Sequence, residues 1–418
     1  MVSGASALSA GNRSSRLEVA IHRDAGWIDT ALVATIVAAS LFNLVLEALT
    51  PVLIVAAMGA FVLLRWDRLH WLLRDGWPIL LLPMFALLSA TWSSIPATAA
   101  YYALLYLVTI VAALMIGLGM KPGNVLQGYF LGFALFTVPS VLSLRFADWS
   151  GGEVFVGLTQ SKNAAGDMAG VGLLITMCYF FSCLHGRRFM GAFLAIGLVP
   201  FYLFALWFSH ATGALIATVL ILFITLAWII SRRFSAQARV VIFLGAAVMG
   251  IALGLTQAWW FPPLFDAVLQ GTGKDAGLTG RTDLWFYADN LIARRPWFGV
   301  GYNSFWIHNN LDAEFLWRKL GIKSRMGFNF HSTHREILVH LGYVGLALFA
   351  TVAVIGAGRL LVSTVLSPTY ERIFACAIVA FYAIKMPFEV VGLTTIHFGT
   401  ITAVAVIGMG YRKLSKPA

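Results

Sequence analysis

The chain has 418 residues, 60% of them hydrophobic and only 11% charged. Soluble domains carry roughly a quarter charged residues, so a water-soluble globular fold is excluded. The net charge of +11 does not point to nucleic acid, because most Lys and Arg residues sit in short connections between apolar runs, where they set membrane orientation.

Residues 1–25 are polar and expected to be a loose cytoplasmic tail with no cleavable leader, since the first apolar run is long enough to stay as a span. Continuous apolar runs follow at about 27–45, 47–64, 76–92, 99–119, 124–144, 163–184, 189–208, 211–231 and 238–258. After a polar interruption come about 335–356, 373–391 and 393–411. A bilayer-spanning helix needs about 20 apolar residues, and runs without alternation exclude a membrane barrel. The expected fold is an all-α integral membrane protein of about twelve transmembrane helices: a bundle over 26–258, a large outer loop over 259–334, C-terminal spans over 335–411 and a tail over 412–418. Cys178, Cys183 and Cys376 lie in apolar runs without metal or pairing spacing and read as small buried hydrophobes.

Lys and Arg gather in alternate connections: Arg13, Arg16 and Arg23; Arg65, Arg68 and Arg74; Lys121; Arg187 and Arg188; Arg232, Arg233 and Arg239; Arg359 and Arg372; Arg412, Lys413 and Lys416. The turns Trp92–Thr98 and Ser209–Thr212 carry none. This pattern puts both termini inside and residues 145–162 and 259–334 outside, facing the periplasm of a Gram-negative inner membrane. The long outer segment is rich in Trp, Phe and Tyr, unlike a disordered linker. Thr282–Ala293 and Asn310–Leu320 have helical spacing of apolar residues and are expected as short amphipathic helices roofing the bundle.

Chemistry concentrates in that segment. Gly280-Arg281-Thr282-Asp283 opens one helix, Arg294-Arg295-Pro296 closes it, and His331-Ser332-Thr333-His334 precedes the next span. Lys385 and Glu389, four residues apart around Pro387, have the spacing of an ion pair on one helix face, and a structural pair is the preferred reading. Arg294 and Arg295 read as helix-end cations. His210 and His397 read as packing residues. No His-Glu-x-x-His, paired-aspartate or cysteine cluster is present, so neither a metal nor a cofactor is expected.

Lys274-Asp275-Ala276-Gly277-Leu278-Thr279-Gly280-Arg281-Thr282-Asp283-Leu284-Trp285, followed by Arg295-Pro296-Trp297-Phe298-Gly299-Val300-Gly301, resembles the signature of the O-antigen ligase and polysaccharide polymerase superfamily. The Leu-Thr-Gly-Arg-Thr form is most similar to its exopolysaccharide polymerase branch. His331-Ser332 with Gly342-Tyr343-Val344-Gly345 nine residues later, Ser161-Lys162-Asn163-Ala164-Ala165-Gly166, and Trp92-Ser93-Ser94-Ile95-Pro96 are similar to further family motifs. One departure is Thr212, standing where relatives carry Arg or Lys.

The resemblance implies a glycosyltransferase that transfers or polymerises a polyprenyl-diphosphate-linked oligosaccharide. Arg281 would hold the diphosphate, because a guanidinium binds phosphate oxygens bidentately. His331 would take the proton of the acceptor hydroxyl, with Asp275 and Asp283 as further candidates for the base. Lys162, Asn163, Gly280, Arg295, His334, Glu336 and His210 are expected around the substrate, Lys162 or His210 replacing the missing cation. Expected partners are the lipid-linked donor, a glycan or lipid acceptor, membrane lipids, and chain-length and export proteins. Alternatives are a ligase delivering glycan to lipid A core and, from another class, a flippase for the lipid-linked oligosaccharide. The clustering of polar residues at one edge, without internal repeats, favours the enzyme over the transporter.

Overall fold

The computed structural model describes residues 26–149, 152–272, 280–322, 325 and 327–412. Each of the twelve expected apolar runs contains a helix: α1 (Gly26–Leu41), α2 (Leu49–Leu64), α3 (Leu69–Leu88), α4 (Pro96–Leu114), α5 (Pro122–Leu142), α6 (Lys162–His185), α7 (Phe189–Phe208), α8 (Thr212–Ser231), α9 (Ala236–Leu255), then, after three helices of the polar interruption, α13 (Thr333–Leu366), α14 (Tyr370–Lys385) and α15 (Phe398–Tyr411). Those three are α10 (Gln257–Thr272), α11 (Arg281–Arg294) and α12 (Leu311–Lys319).

By length and composition, eight helices among the described residues are long and apolar enough to cross a membrane: α3 to α9 and α13. The other four, α1, α2, α14 and α15, have 14 to 16 residues, short of the ~20 that a bilayer core asks for.

The structure departs from the sequence expectation in three places. Helical residues continue past the expected end of the ninth span, so α10 runs to Thr272. The expected outer segment 145–162 contains a two-stranded antiparallel ladder, β1 (Phe146–Trp149) with β2 (Gly152–Phe155), in the register Phe146↔Phe155; the fold is helical with one small hairpin. The apolar stretch 373–411 is not two abutting spans either. Its helix ends at Lys385, the next begins at Phe398, and residues 386–397 between them have no regular structure.

That irregular stretch survives inside an apolar protein because its backbone finds side-chain partners, as buried backbone polar groups must. The Tyr106 hydroxyl donates to the Gly392 carbonyl at 2.7 Å and the Tyr302 hydroxyl to the Leu393 carbonyl. The Ile396 amide donates to Thr109 Oγ1 at 2.9 Å and the Val391 amide to Thr333 Oγ1 at 2.9 Å. Met386 is still helical at φ −51° and ψ −36°, and the ladder stops at Pro387, which has no amide hydrogen to continue it.

A single apolar core runs through the bundle, with large buried rings at Phe61, Tyr106, Tyr129, Phe133, Tyr202, Phe374 and Phe381. A second, smaller core holds the polar interruption together. Leu284, Ala288 and Ile292 of α11 meet Ala313, Leu316 and Trp317 of α12, and Phe305 and Phe330 join Leu338 and Val339 of α13. The interruption is thus a folded cap resting on the first turns of α13.

The cap is stitched to α13 through broken helix. Gly342 leaves helical geometry with φ 65° and ψ −167°. The chain 296–301 lies along the opening: the Val300 amide donates to the Val339 carbonyl at 2.9 Å, Gly301 to His340 at 2.9 Å, and Tyr343 to Pro296 at 2.8 Å. A Cβ on Gly342 would stand 2.3 Å from the Trp297 carbonyl carbon, so only glycine permits this approach. The Trp92 indole donates to the Phe298 carbonyl at 3.2 Å, and the Ser93 and Ser304 hydroxyls lie 2.9 Å apart.

Candidate active site at the Glu389 cluster

Four helix N-termini converge beside residues 385–389. Asn163 stands on the first turn of α6, Gly213 on that of α8, Arg281 opens α11 and Thr333 opens α13. Thr333 fixes the irregular stretch in place. Its amide donates to the Met386 carbonyl at 2.9 Å and its hydroxyl to the Glu389 carbonyl at 2.7 Å.

The Glu389 carboxylate is the centre. Arg281 donates from one guanidinium nitrogen to Glu389 Oε1 at 2.9 Å and from the other to the Phe388 carbonyl. Asn163 Nδ2 donates to the same Oε1 at 3.2 Å. His331 Nδ1 faces the other oxygen, Oε2, at 3.5 Å, long for a hydrogen bond. Burial alone would raise the Glu389 carboxyl, but His331, Arg281 and Lys385 outweigh it and hold it down at about 2. It is therefore an anion at neutral pH.

The local backbone shows that these residues are not placed for helix stability. A cation at a helix N-terminus opposes the macrodipole, yet Arg281 and Lys162 are the first helical residues of α11 and α6. Gly280, with φ 84°, makes the left-handed turn that aims Arg281 inward. His331 itself has φ 48°, a strained conformation for a non-glycine residue, and the Asn329 side chain braces its amide at 2.8 Å.

Lys385 and Glu389 do not form the helix-face pair expected from their spacing, because α14 stops at Lys385 and Glu389 lies on irregular chain beyond it. Lys385 instead turns to α6 and pairs with Asp167 at 2.8 Å. Its ammonium is buried and stands 3.8 Å from where a Cβ of Gly213 would be. It thus occupies the neighbourhood of Thr212, where a cation was expected and absent. His210, one of the two residues expected to compensate, is exposed at the α7–α8 turn. Lys162, the other, adjoins Asn163 and is partly buried.

The remaining expected residues separate from the cluster. Arg295 is exposed at the end of α11, and Arg294 pairs with Asp312 at 3.0 Å across the cap. Asp283 is exposed and lies 3.7 Å from Lys319, which places it as a cap surface residue. Asp275 lies outside the described residues. His334 is exposed, held by Ser332 at 3.1 Å and Arg335 at 3.2 Å. Glu336 turns away from Glu389. It accepts the Phe330 amide at 2.8 Å and meets His340 Nε2 at 3.2 Å, so it shapes the backbone that leads into His331. Gly280 contributes conformation only. His397 caps α15 by accepting the Gly399 amide at 3.1 Å, in keeping with a packing residue.

Sequence reading underrated Glu389, Lys385 and Asp167. The available signal was the presence of charges in an apolar run beside a proline; intramembrane ionisable groups are usually paired or functional. Among the described residues, no group of three or more His, Cys, Asp or Glu side chains is placed to hold a metal ion.

As it stands, the cluster presents two fixed cations, four helix N-termini and an imidazole around two acidic side chains, Glu389 and Asp167. Such a constellation binds and stabilises negative charge and has a proton acceptor beside it.

A family model described as O-Antigen ligase matches residues 197–350, a stretch that includes Arg281, His331 and the docked chain 296–301. The chain is also similar to the exopolysaccharide production protein ExoQ of Rhizobium meliloti (strain 1021), 29% identical over 273 residues, which cover 65% of this chain and 62% of the relative. The match thus spans a little under two thirds of that relative's length. With its apolar helices and its Arg281 and His331 motifs, the chain is similar to members of the O-antigen ligase and polysaccharide polymerase superfamily of membrane proteins.

Proposed function

We propose that the protein is a polymerase-type glycosyltransferase that extends a polyprenyl-diphosphate-linked oligosaccharide at the periplasmic face of the inner membrane. The observation that carries this reading is the Glu389 carboxylate held between Arg281 and His331: an anion already sits where a diphosphate and an acceptor hydroxyl would meet. The Leu-Thr-Gly-Arg-Thr motif and the likeness to an exopolysaccharide production protein favour polymerase over ligase.

In the reaction, the acceptor hydroxyl oxygen attacks the anomeric carbon of the donor sugar. The bond from that carbon to the diphosphate oxygen breaks, and the hydroxyl proton passes to His331. The lipid diphosphate leaves with the bonding pair and is met by Arg281, by Lys385 and by the helix N-termini of α6 and α8. Removing one preorganised donor at such a site costs ~10²–10³ in rate. Glu389 orients both Arg281 and His331, and Asn163 orients Glu389. Lys385 supplies the second cation from α14 that α8 lacks at Thr212, and Lys162 lines the entry to it. The polymer grows outward from the folded cap.

The test is the lipid-linked glycan pool of a deletion strain complemented with variants. Accumulated single repeats that disappear with wild-type protein support a polymerase; accumulated long chains indicate a ligase, and substrate trapped on the cytoplasmic side indicates a flippase. Arg281→Ala and His331→Ala are each expected to leave the single-repeat pool. Normal-length polymer from both variants overturns the reading.

A further inference from the structure

At the end of the bundle opposite Glu389 lies a cavity of about 1370 Å³ between α3, α13 and α15. It is larger than the roughly 300–1,000 Å³ of small-molecule sites. Its wall is apolar along α13, from Val344 to Val362, and it reaches the outer surface of the bundle at Trp77, Ile355 and Val362, all exposed. Its floor is set by glycines. Gly356 of α13 and Gly410 of α15 approach so closely that a Cβ on Gly410 would stand 2.0 Å from the Gly356 carbonyl oxygen, the close backbone contact that small residues allow in membranes. Gly358, two residues further along α13, has nothing within 4 Å of its Cβ position.

One end of this apolar groove is cationic. Arg74, Arg359, Arg372 and Arg412 line it against a single acid, Asp75. Asp75 is taken by Arg74 at 2.7 Å, and Arg412 donates to the carbonyls of Gly117, Leu118 and Met120. Among the described residues, neither Arg359 nor Arg372 has a carboxylate in ion-pair range. Arg359 lies 5.4 Å over the Tyr411 ring, and Arg372 donates to the Ser367 carbonyl at 2.7 Å. Two guanidiniums that have no counter-anion among the described residues, at the mouth of an apolar groove, match a molecule with an anionic head and hydrocarbon tails. Basic pockets between transmembrane helices bind anionic headgroups in this way.

We infer that this groove binds an anionic glycerophospholipid of the bilayer, with its phosphate on Arg359 and Arg372 and its acyl chains along α13 over Gly358. The site is separate from the Glu389 cluster and does not depend on the proposed reaction. An occupant here would brace α13 at the end away from His331.

The test uses full-length protein in nanodiscs of phosphatidylcholine, titrated with phosphatidylglycerol, and reads bound lipid by native mass spectrometry. Wild type is expected to retain phosphatidylglycerol in preference to phosphatidylcholine. Arg359→Glu, which reverses the head contact, and Gly358→Leu, which fills the tail path, are each expected to weaken retention about tenfold. Gly250→Leu on α9, also with open space at its Cβ, serves as a control and is expected to leave retention unchanged. Arg281→Ala is likewise expected to retain the lipid, which separates this site from the reaction site. Equal retention of the two lipids, unchanged retention in both groove variants, or loss of the lipid in Arg281→Ala overturns the inference.

Discussion

Glu389 holds Arg281 and His331 together, and its charge state makes a direct prediction. Its carboxyl is held at about 2, below the ordinary 4.5. A depressed carboxyl contributes stability in full above the ordinary value and loses it as pH falls toward the folded one. Acid unfolding of the purified protein is therefore expected to contain a step between about pH 4.5 and 2 that Glu389→Gln lacks. The same substitution is expected to lower polymer formation about a hundredfold, because Arg281 and His331 lose their common anchor; near-normal polymer would count against the anchoring role. The Lys385–Asp167 pair separates structure from chemistry in another way. Removing one partner of a buried pair leaves an uncompensated charge and costs about 3–5 kcal/mol, so Lys385→Met is expected to lower the Tm. The double change Lys385→Met with Asp167→Asn is expected to recover stability but not polymer formation. Recovery of both would make the pair structural only. Arg281 and His331 were legible in the sequence because they sit in compact motifs. Glu389 was not, since its partners lie 58, 108 and 226 residues away and no local pattern records such a meeting.

At the scale of elements, the hydrophobic runs identified the helices, since continuous apolar stretches have few other solutions in a bilayer. The cap helices were legible for the same reason of periodicity: Thr282–Ala293 became Arg281–Arg294, and Asn310–Leu320 became Leu311–Lys319. What the sequence hid was interruption. Nothing in the run 335–356 announced that α13 opens at Gly342, because the cause is a distant chain, 296–301, donating to and accepting from its backbone. The Gly342→Ala variant is expected to displace that chain and lower the Tm by several degrees. It would combine a left-handed φ, costing of order 1 kcal/mol or more, with a clash against Trp297 backbone. Gly250→Ala on α9, where no atom lies within 4 Å, is expected to leave the Tm unchanged or raised. Equal Tm values for the two variants would remove the docking from any structural role.

For the whole molecule, the distribution of Lys and Arg predicts a cap on the outer side, and the structure supplies a clean reporter to test that expectation. Leu311 is 82% exposed on the cap, whereas Cys178 and Cys183 are buried and Cys376 is half-buried. A Leu311→Cys protein in intact cells is expected to react with a membrane-impermeant maleimide above the wild-type background. Labelling only after permeabilisation would invert the topology and move the proposed reaction to the cytoplasm. The irregular chain 386–397 has a further consequence, for biosynthesis. The cap and α13 leave the ribosome before residues 386–397 do, so Arg281 meets its carboxylate only when α14 has been inserted and the chain beyond it has folded back. Until then the nascent protein has its guanidinium and imidazole but nothing to hold them in register. Chemical competence therefore arrives as one of the last events of synthesis, and a chain interrupted before Glu389 would reach the membrane without a formed site.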